Sequence, residues 1–153
     1  MSLNLEDLIP HRPPMVLITR MRELNEERAI GEVDITETSM FFENGHVPAW
    51  IGIEYVAQTI AAYSGHLGRF NGGGPSIGLL LGARRYRSTV DGFKAGQTLQ
   101  VKVEPVLIDG DMGSFKGTIA VEGETLAEVT MTTYKPDEAT LRKLKNGTGD
   151  AHV

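Results

Sequence analysis

Apolar and polar positions alternate cleanly from Ala29 to Ile35, so RAIGEVDI (28–35) is predicted to be a strand with one buried face. MVLITRMREL (15–24) reads as the strand before it, with Asn25-Glu26-Glu27 as the turn between them. The period then changes. Ile53, Val56, Ala57, Ile60 and Leu67 recur at helical spacing and predict one long helix over 49–67. Ala57, Ala61, Ala62 and Gly65 are small, so another element approaches this helix closely. RFNGGGP (69–75) ends it. Strand patterns follow at 76–88, 98–109, 114–123 and 125–135. VDGFKAGQ (90–97), Asp109-Gly110-Asp111 and Gly123-Glu124 supply the turns, which favour antiparallel hairpins. Residues 4–9 make one helical turn capped by Asn4, and Pro10, Pro13 and Pro14 then force an extended chain. Residues 36–45 are loop, although Met40, Phe41 and Phe42 are too apolar to stand idle in water. Residues 136–153 form a peripheral tail with a helical pattern at 137–145.

Two strands, one long helix and about four strands define an α+β chain. A single helix cannot cover both faces of a large sheet. A curved antiparallel sheet wrapped around a long central helix buries both, and that is the hot-dog arrangement. It accounts for the nearly all-round apolar character of residues 51–67. At 153 residues the chain has room for one core, so 1–153 is expected to be a single domain with 136–153 at its periphery.

Composition narrows the function. A formal net charge of −5 gives no reason to expect nucleic acid as a partner. The absence of cysteine excludes disulfides and thiolate metal sites. The amino terminus lacks a signal-peptide pattern and no apolar run reaches the ~20 residues of a membrane span, so a cytoplasmic protein without membrane association is expected.

One residue stands out. Glu54 lies at the start of the helix among Ile51, Ile53, Val56 and Ala57. A first-turn glutamate favoured by the helix dipole and facing water is one reading. The other is a pocket floor, because Gln58 lies one turn on and shares its face. His46 has two readings as well: a loop histidine packing locally, or a base of near-neutral pKa paired with a carboxyl group. His11, His66 and His152 are scattered, without ligand spacing, so no metal site is expected. Arg84, Arg85, Arg87, Lys94 and Lys102 form a basic cluster on an acidic chain: a solvated strand face, or a landing site for phosphate or an acidic partner.

Three segments together resemble the 3-hydroxyacyl-acyl carrier protein dehydratases. LIPHRPPMVLI resembles the family's L-P-H-R-x-P-F-L-L-V. VPAWIGIEYVAQ resembles M-P-G-x-L-x-x-E-A-x-A-Q. IGLLLGARRYRSTVDGFKAGQTLQVKVE resembles a strand pair carrying A-R-F-R-x-P-V and then P-G-D. The matched region runs over roughly residues 5–135. The resemblance implies a hot-dog dimer with composite sites, in which a histidine of one subunit faces the helix carboxylate of the other. It implies an acyl thioester on phosphopantetheine or coenzyme A, reversible loss of water, and no metal or redox cofactor. Glu54 corresponds to the family acid and His46 to the catalytic histidine. Gln58, Pro48, Ala49, Trp50, Gly78 and Arg85 are the positions implied to contact substrate.

The family reads G-H-F-P-x-x-P-x-M-P-G before the helix, whereas GHVPAW passes directly from His46 to Pro48, about six residues shorter. That variant looks closer to a divergent branch associated with aryl-polyene or polyketide-like synthesis. Three functions are therefore carried forward: a carrier-protein or coenzyme A thioester dehydratase, a hot-dog thioesterase, and a weakly active or non-catalytic subunit that pairs with a dehydratase paralogue.

Overall fold

A computed structural model describes residues 15–70, 80–109 and 112–134. The expected helical turn at 4–9, the tail at 136–153, and Gly78 lie outside these residues. Strands β1 (Arg20–Leu24) and β2 (Ala29–Asp34) form a hairpin. Its turn is closed by Asn25, whose Oδ1 accepts the amides of Glu27 at 2.8 Å and Arg28 at 3.0 Å. Strand β3 (His46–Pro48) leads through a 3-10 turn, Ala49–Ile51, into α1 (Gly52–Phe70). Strands β4 (Leu80–Ser88), β5 (Gly92–Lys94), β6 (Thr98–Asp109), β7 (Met112–Val121) and β8 (Glu124–Tyr134) follow.

The main sheet has the order β1-β2-β6-β7-β8-β4 and is antiparallel throughout. Its inner face is supplied by the alternation visible in the sequence: Ala29 and Val33, Leu99 and Val101, Phe115 and Ile119, Val129 and Met131 are all buried. The sheet curves around α1, and every residue from Tyr55 to Tyr63 is buried. The hot-dog fold is therefore what these residues build. The hairpin β7–β8 turns at Glu122-Gly123, both with positive φ (50° and 84°), as a tight primed turn needs.

Close approach is made at glycine. A Cβ on Gly117 would stand 2.5 Å from Val56 Cγ1, so β7 packs its bare backbone on α1. Tyr63 anchors the far end of the helix: its hydroxyl donates to Glu26 O at 2.6 Å, and its ring meets Phe115 edge-on at 5.6 Å.

Four local expectations need correction. The strand predicted at 15–24 begins only at Arg20; residues 15–17 leave the sheet and hydrogen-bond to the side chain of Gln58 on α1. The segment at 45–48, read as the approach to the helix, contains β3. The stretch at 90–97, read as turns, contains β5, and the two pair as a separate ribbon. Strands of three residues are too short for alternation to reveal. The helix itself starts at Gly52, because Ala49–Ile51 adopts the tighter 3-10 form.

Candidate functional site

Glu54 is the acidic residue of the first turn of α1 and is half-buried. Its position there is favourable because the helix dipole stabilises a carboxylate. One of its partners is Gln58, one turn later and without exposed surface. Gln58 Nε2 donates to Glu54 Oε1 at 3.2 Å and to Met15 O at 2.7 Å, while its Oε1 accepts the Leu17 amide at 2.8 Å. The side chain thus behaves as a peptide group. It replaces a neighbouring strand for residues 15–17 and spends its remaining N–H on the carboxylate. Of the residues expected to contact substrate, Gln58 is engaged with protein groups at all three of these hydrogen bonds.

The helix start is equally constrained. Pro48 pairs with Gly92 in the β3–β5 ribbon. Ala49 is buried, and its amide donates to Asp91 O at 2.9 Å. Trp50 projects outward, 63% exposed, with its ring centroid 6.1 Å from that of Phe41. Phe41 holds φ at 71°, a left-handed conformation uncommon for a bulky residue. This pair gives Phe41 a place at the mouth of the helix, whereas its neighbour Phe42 packs against the core.

His46 lies on β3 opposite Lys94. Its imidazole rests on the backbone of Gly92: a Cβ there would come within 2.6 Å of the ring Cγ and 2.7 Å of Val47 O. His46 lines an open cleft with Asn44, Thr89, Asp91, Lys94 and Glu124, and Glu54 is not part of that lining. The structure therefore brings Gln58 to Glu54, and places His46 at a cleft beside β5. Arg85 lies elsewhere again. With Arg87, Lys116, Val106 and Glu128 it borders a shallow groove in which no residue of α1 takes part. The basic cluster does not converge: Lys94 lines the His46 cleft and Lys102 stands 3.8 Å from Glu104.

Tyr86 was not singled out by the sequence. The segment Ala83-Arg84-Arg85-Tyr86-Arg87 is one residue longer than the A-R-F-R it resembles. Strand β4 accommodates the extra residue in a bulge between Arg84 and Arg87, with Arg85 at φ 52°. The bulge turns Tyr86 toward the helix start, where its hydroxyl donates to Ala49 O. Burial pushes the Tyr86 pKa up to about 12, so this donor keeps its proton.

The fold and the helix-borne carboxylate define a hot-dog protein of the dehydratase type. Residues 3–144 match the family model for ApeP-like proteins, ApeP dehydratase, and the chain belongs to that family. It is 32% identical over 142 residues to the 3-hydroxyacyl-acyl-carrier-protein dehydratase FabZ of Clostridium acetobutylicum, covering 86% of this chain and 97% of that one. It is also 32% identical over 138 residues to FabZ of Bacillus pumilus, covering 84% and 91%. Among solved structures, the dehydratase heterocomplex ApeI:P from Xenorhabdus doucetiae matches with a TM-score of 0.85 and 28% identity, over 95% of this chain and 99% of that chain. The E. coli PaaI protein from the phenylacetic acid degradation operon matches at a TM-score of 0.58 and 15% identity, over 76% and 78%, a likeness of fold alone. Among the described residues no helix is long and apolar enough to cross a membrane.

Proposed function

We propose that the protein is a 3-hydroxyacyl thioester dehydratase subunit of fatty-acid or polyketide-like synthesis. The observation that carries this is the carboxylate of Glu54, held at the first turn of the buried helix by a fully buried Gln58, in a chain of a dehydratase family. The substrate is a 3-hydroxyacyl group on the phosphopantetheine arm of an acyl carrier protein or on coenzyme A, and the chemistry needs no metal or redox group. A base removes a proton from C2, and the electron pair moves toward the thioester carbonyl. Amides at the start of α1 stabilise the negative charge on that oxygen. The C3–O bond then breaks as Glu54 protonates the departing hydroxyl, giving a trans-2-enoyl thioester and water.

His46 is the proposed base, supplied across a dimer. The cleft that His46 lines beside β5 does not include Glu54, which favours a composite site completed by a second subunit. In a homodimer the partner's His46 faces Glu54. The likeness to the ApeI:P heterocomplex favours a second hot-dog chain as the natural partner.

Conversion of a 3-hydroxyacyl-pantetheine substrate to its enoyl product tests the assignment, with the purified chain assayed alone and with a co-expressed hot-dog partner. Glu54→Gln is expected to lower kcat/KM by at least ~10²-fold, the order that loss of a general acid brings, with an unchanged thermal midpoint. Turnover equal to that of the unaltered protein would overturn the role of Glu54. Release of free thiol without enoyl product would assign the thioesterase reaction instead.

A further inference from the structure

The geometry points to Tyr86 as a positioning residue that aims the Trp50 amide at the substrate carbonyl, acting through the carbonyl of Ala49. This rests on the dehydratase reading given above. Ala49 O accepts from two sides: the Tyr86 hydroxyl donates to it, and so does the Gly52 amide, which closes the 3-10 turn. With two donors on one oxygen, the plane of the Ala49–Trp50 peptide is fixed. A trans peptide carries its C=O and N–H antiparallel. The Trp50 N–H therefore points away from Tyr86.

The bonding pattern singles out that amide. Ala49 N–H is spent on Asp91 O at 2.9 Å. In a 3-10 turn each N–H bonds three residues back, which gives Gly52 an acceptor inside the turn and leaves Trp50, its second residue, with none there. Trp50 N–H is thus a first-turn donor held in one direction, two elements away from the residue that sets it.

The packing leaves little slack. A Cβ on Gly52 would run into the Tyr86 hydroxyl and come within 2.8 Å of Ile119 Cδ1, so the phenol occupies the space a side chain would take. Tyr86 reaches this position only because the bulge at Arg85 reverses the facing of β4, leaving Arg85 and Arg87 exposed on either side. Strand β4 is also an edge of the main sheet. The turn that carries the donor is therefore tied to a strand at the edge of the sheet among the described residues.

Tyr86→Phe keeps the ring and removes only the donor. In the dehydration assay kcat is expected to fall about 10-fold, as displacement of a positioned group does, with KM within twofold and the thermal midpoint within a few degrees. A merely structural role would not produce that split. A spectroscopic arm reads the same amide without turnover: infrared difference spectra of crotonyl-pantetheine labelled with 13C at the thioester carbonyl. Bound to the unaltered protein, the carbonyl band shifts to lower frequency than in water. Tyr86→Phe, and likewise Gly52→Ala, which displaces the phenol, lose at least half of that shift. Glu54→Gln keeps the shift while losing turnover, which separates a failure here from a failure of the acid assignment. An unshifted band in the unaltered protein, or a full shift with kcat within twofold in Tyr86→Phe, overturns the proposal.

Discussion

Replacing Gln58 with leucine tests whether one buried amide holds both the amino-terminal segment and the candidate acid. The two side chains are of similar size, so the cavity contribution is small. What is lost is bonding. The Leu17 amide loses its acceptor at 2.8 Å, Met15 O loses its donor at 2.7 Å, and Glu54 loses a contact at 3.2 Å. Each of the first two is worth about 1 kcal/mol net, rising toward ~3 kcal/mol if the orphaned group stays dry. Leu17 is only half-buried and Met15 is exposed, so water reaches both and the lower figure applies. The Glu54 contact adds under ~1 kcal/mol at a partly solvated carboxylate. The sum is about 2–3 kcal/mol, which for a chain of this size lowers Tm by roughly 4–12 °C. Gln58→Glu sharpens the test. The introduced carboxyl still accepts from Leu17, but it faces Met15 O and Glu54 and must carry a proton to donate. Burial and the neighbouring carboxylate raise its pKa in the folded state, so its contribution is present below the unfolded value of about 4.3 and lost as pH rises. Gln58→Glu should therefore approach the unaltered protein at pH 4–5 and fall well below it at pH 8. Thermal unfolding across pH and hydrogen exchange at the Leu17 amide measure both effects. Gln58→Leu with Tm within 2 °C of the parent and an equally protected Leu17 amide would refute the reasoning.

Gly117→Ala should destabilise by about 1–3 kcal/mol, because the new methyl meets Val56 Cγ1 at 2.5 Å; adding Val56→Ala should recover part of that loss, and strictly additive urea-unfolding energies would contradict the contact. On the outer face, Arg20 binds Asp34 through Nη1 and Nη2 at 2.8 and 2.9 Å, and with help from Thr98 this holds the Asp34 carboxyl below its ordinary 3.8. A lowered folded-state pKa gives stability that is intact above about pH 4 and lost as pH falls further. The Tm difference between the parent and Asp34→Asn should accordingly shrink from pH 5 to pH 2, and a constant difference would show that the pair contributes nothing.

Much of the architecture was legible because burial imposes period. Alternation along Ala29–Ile35 and the strands after Leu80 marked one face of a sheet. Helical spacing with small residues at Ala57, Ala61 and Ala62 marked a helix enclosed by it. Glu54 was legible as a violation of that pattern, and Gln58 as its neighbour one turn on. Beta strands 3 and 5 were not legible, since three residues carry no detectable alternation. Tyr86 was hidden for a different reason: in a strand with no bulge, its facing would follow from counting, and the extra residue at Arg85 makes that count wrong.

Taken alone, the order of residues determined the fold class, the enclosed helix and the carboxylate at its head, because each follows from local period and from the poor fit of a charge among apolar neighbours. Tertiary structure decided the rest. It showed that Gln58 is committed to residues 15–17 as well as to Glu54, that His46 sits opposite Lys94 on a separate ribbon, and that Ala49 O is held from β4. These are contacts between residues about 40 positions apart, and their geometry depends on how a curved sheet closes over a helix. No local pattern carries that information, so it appears only once the chain is folded.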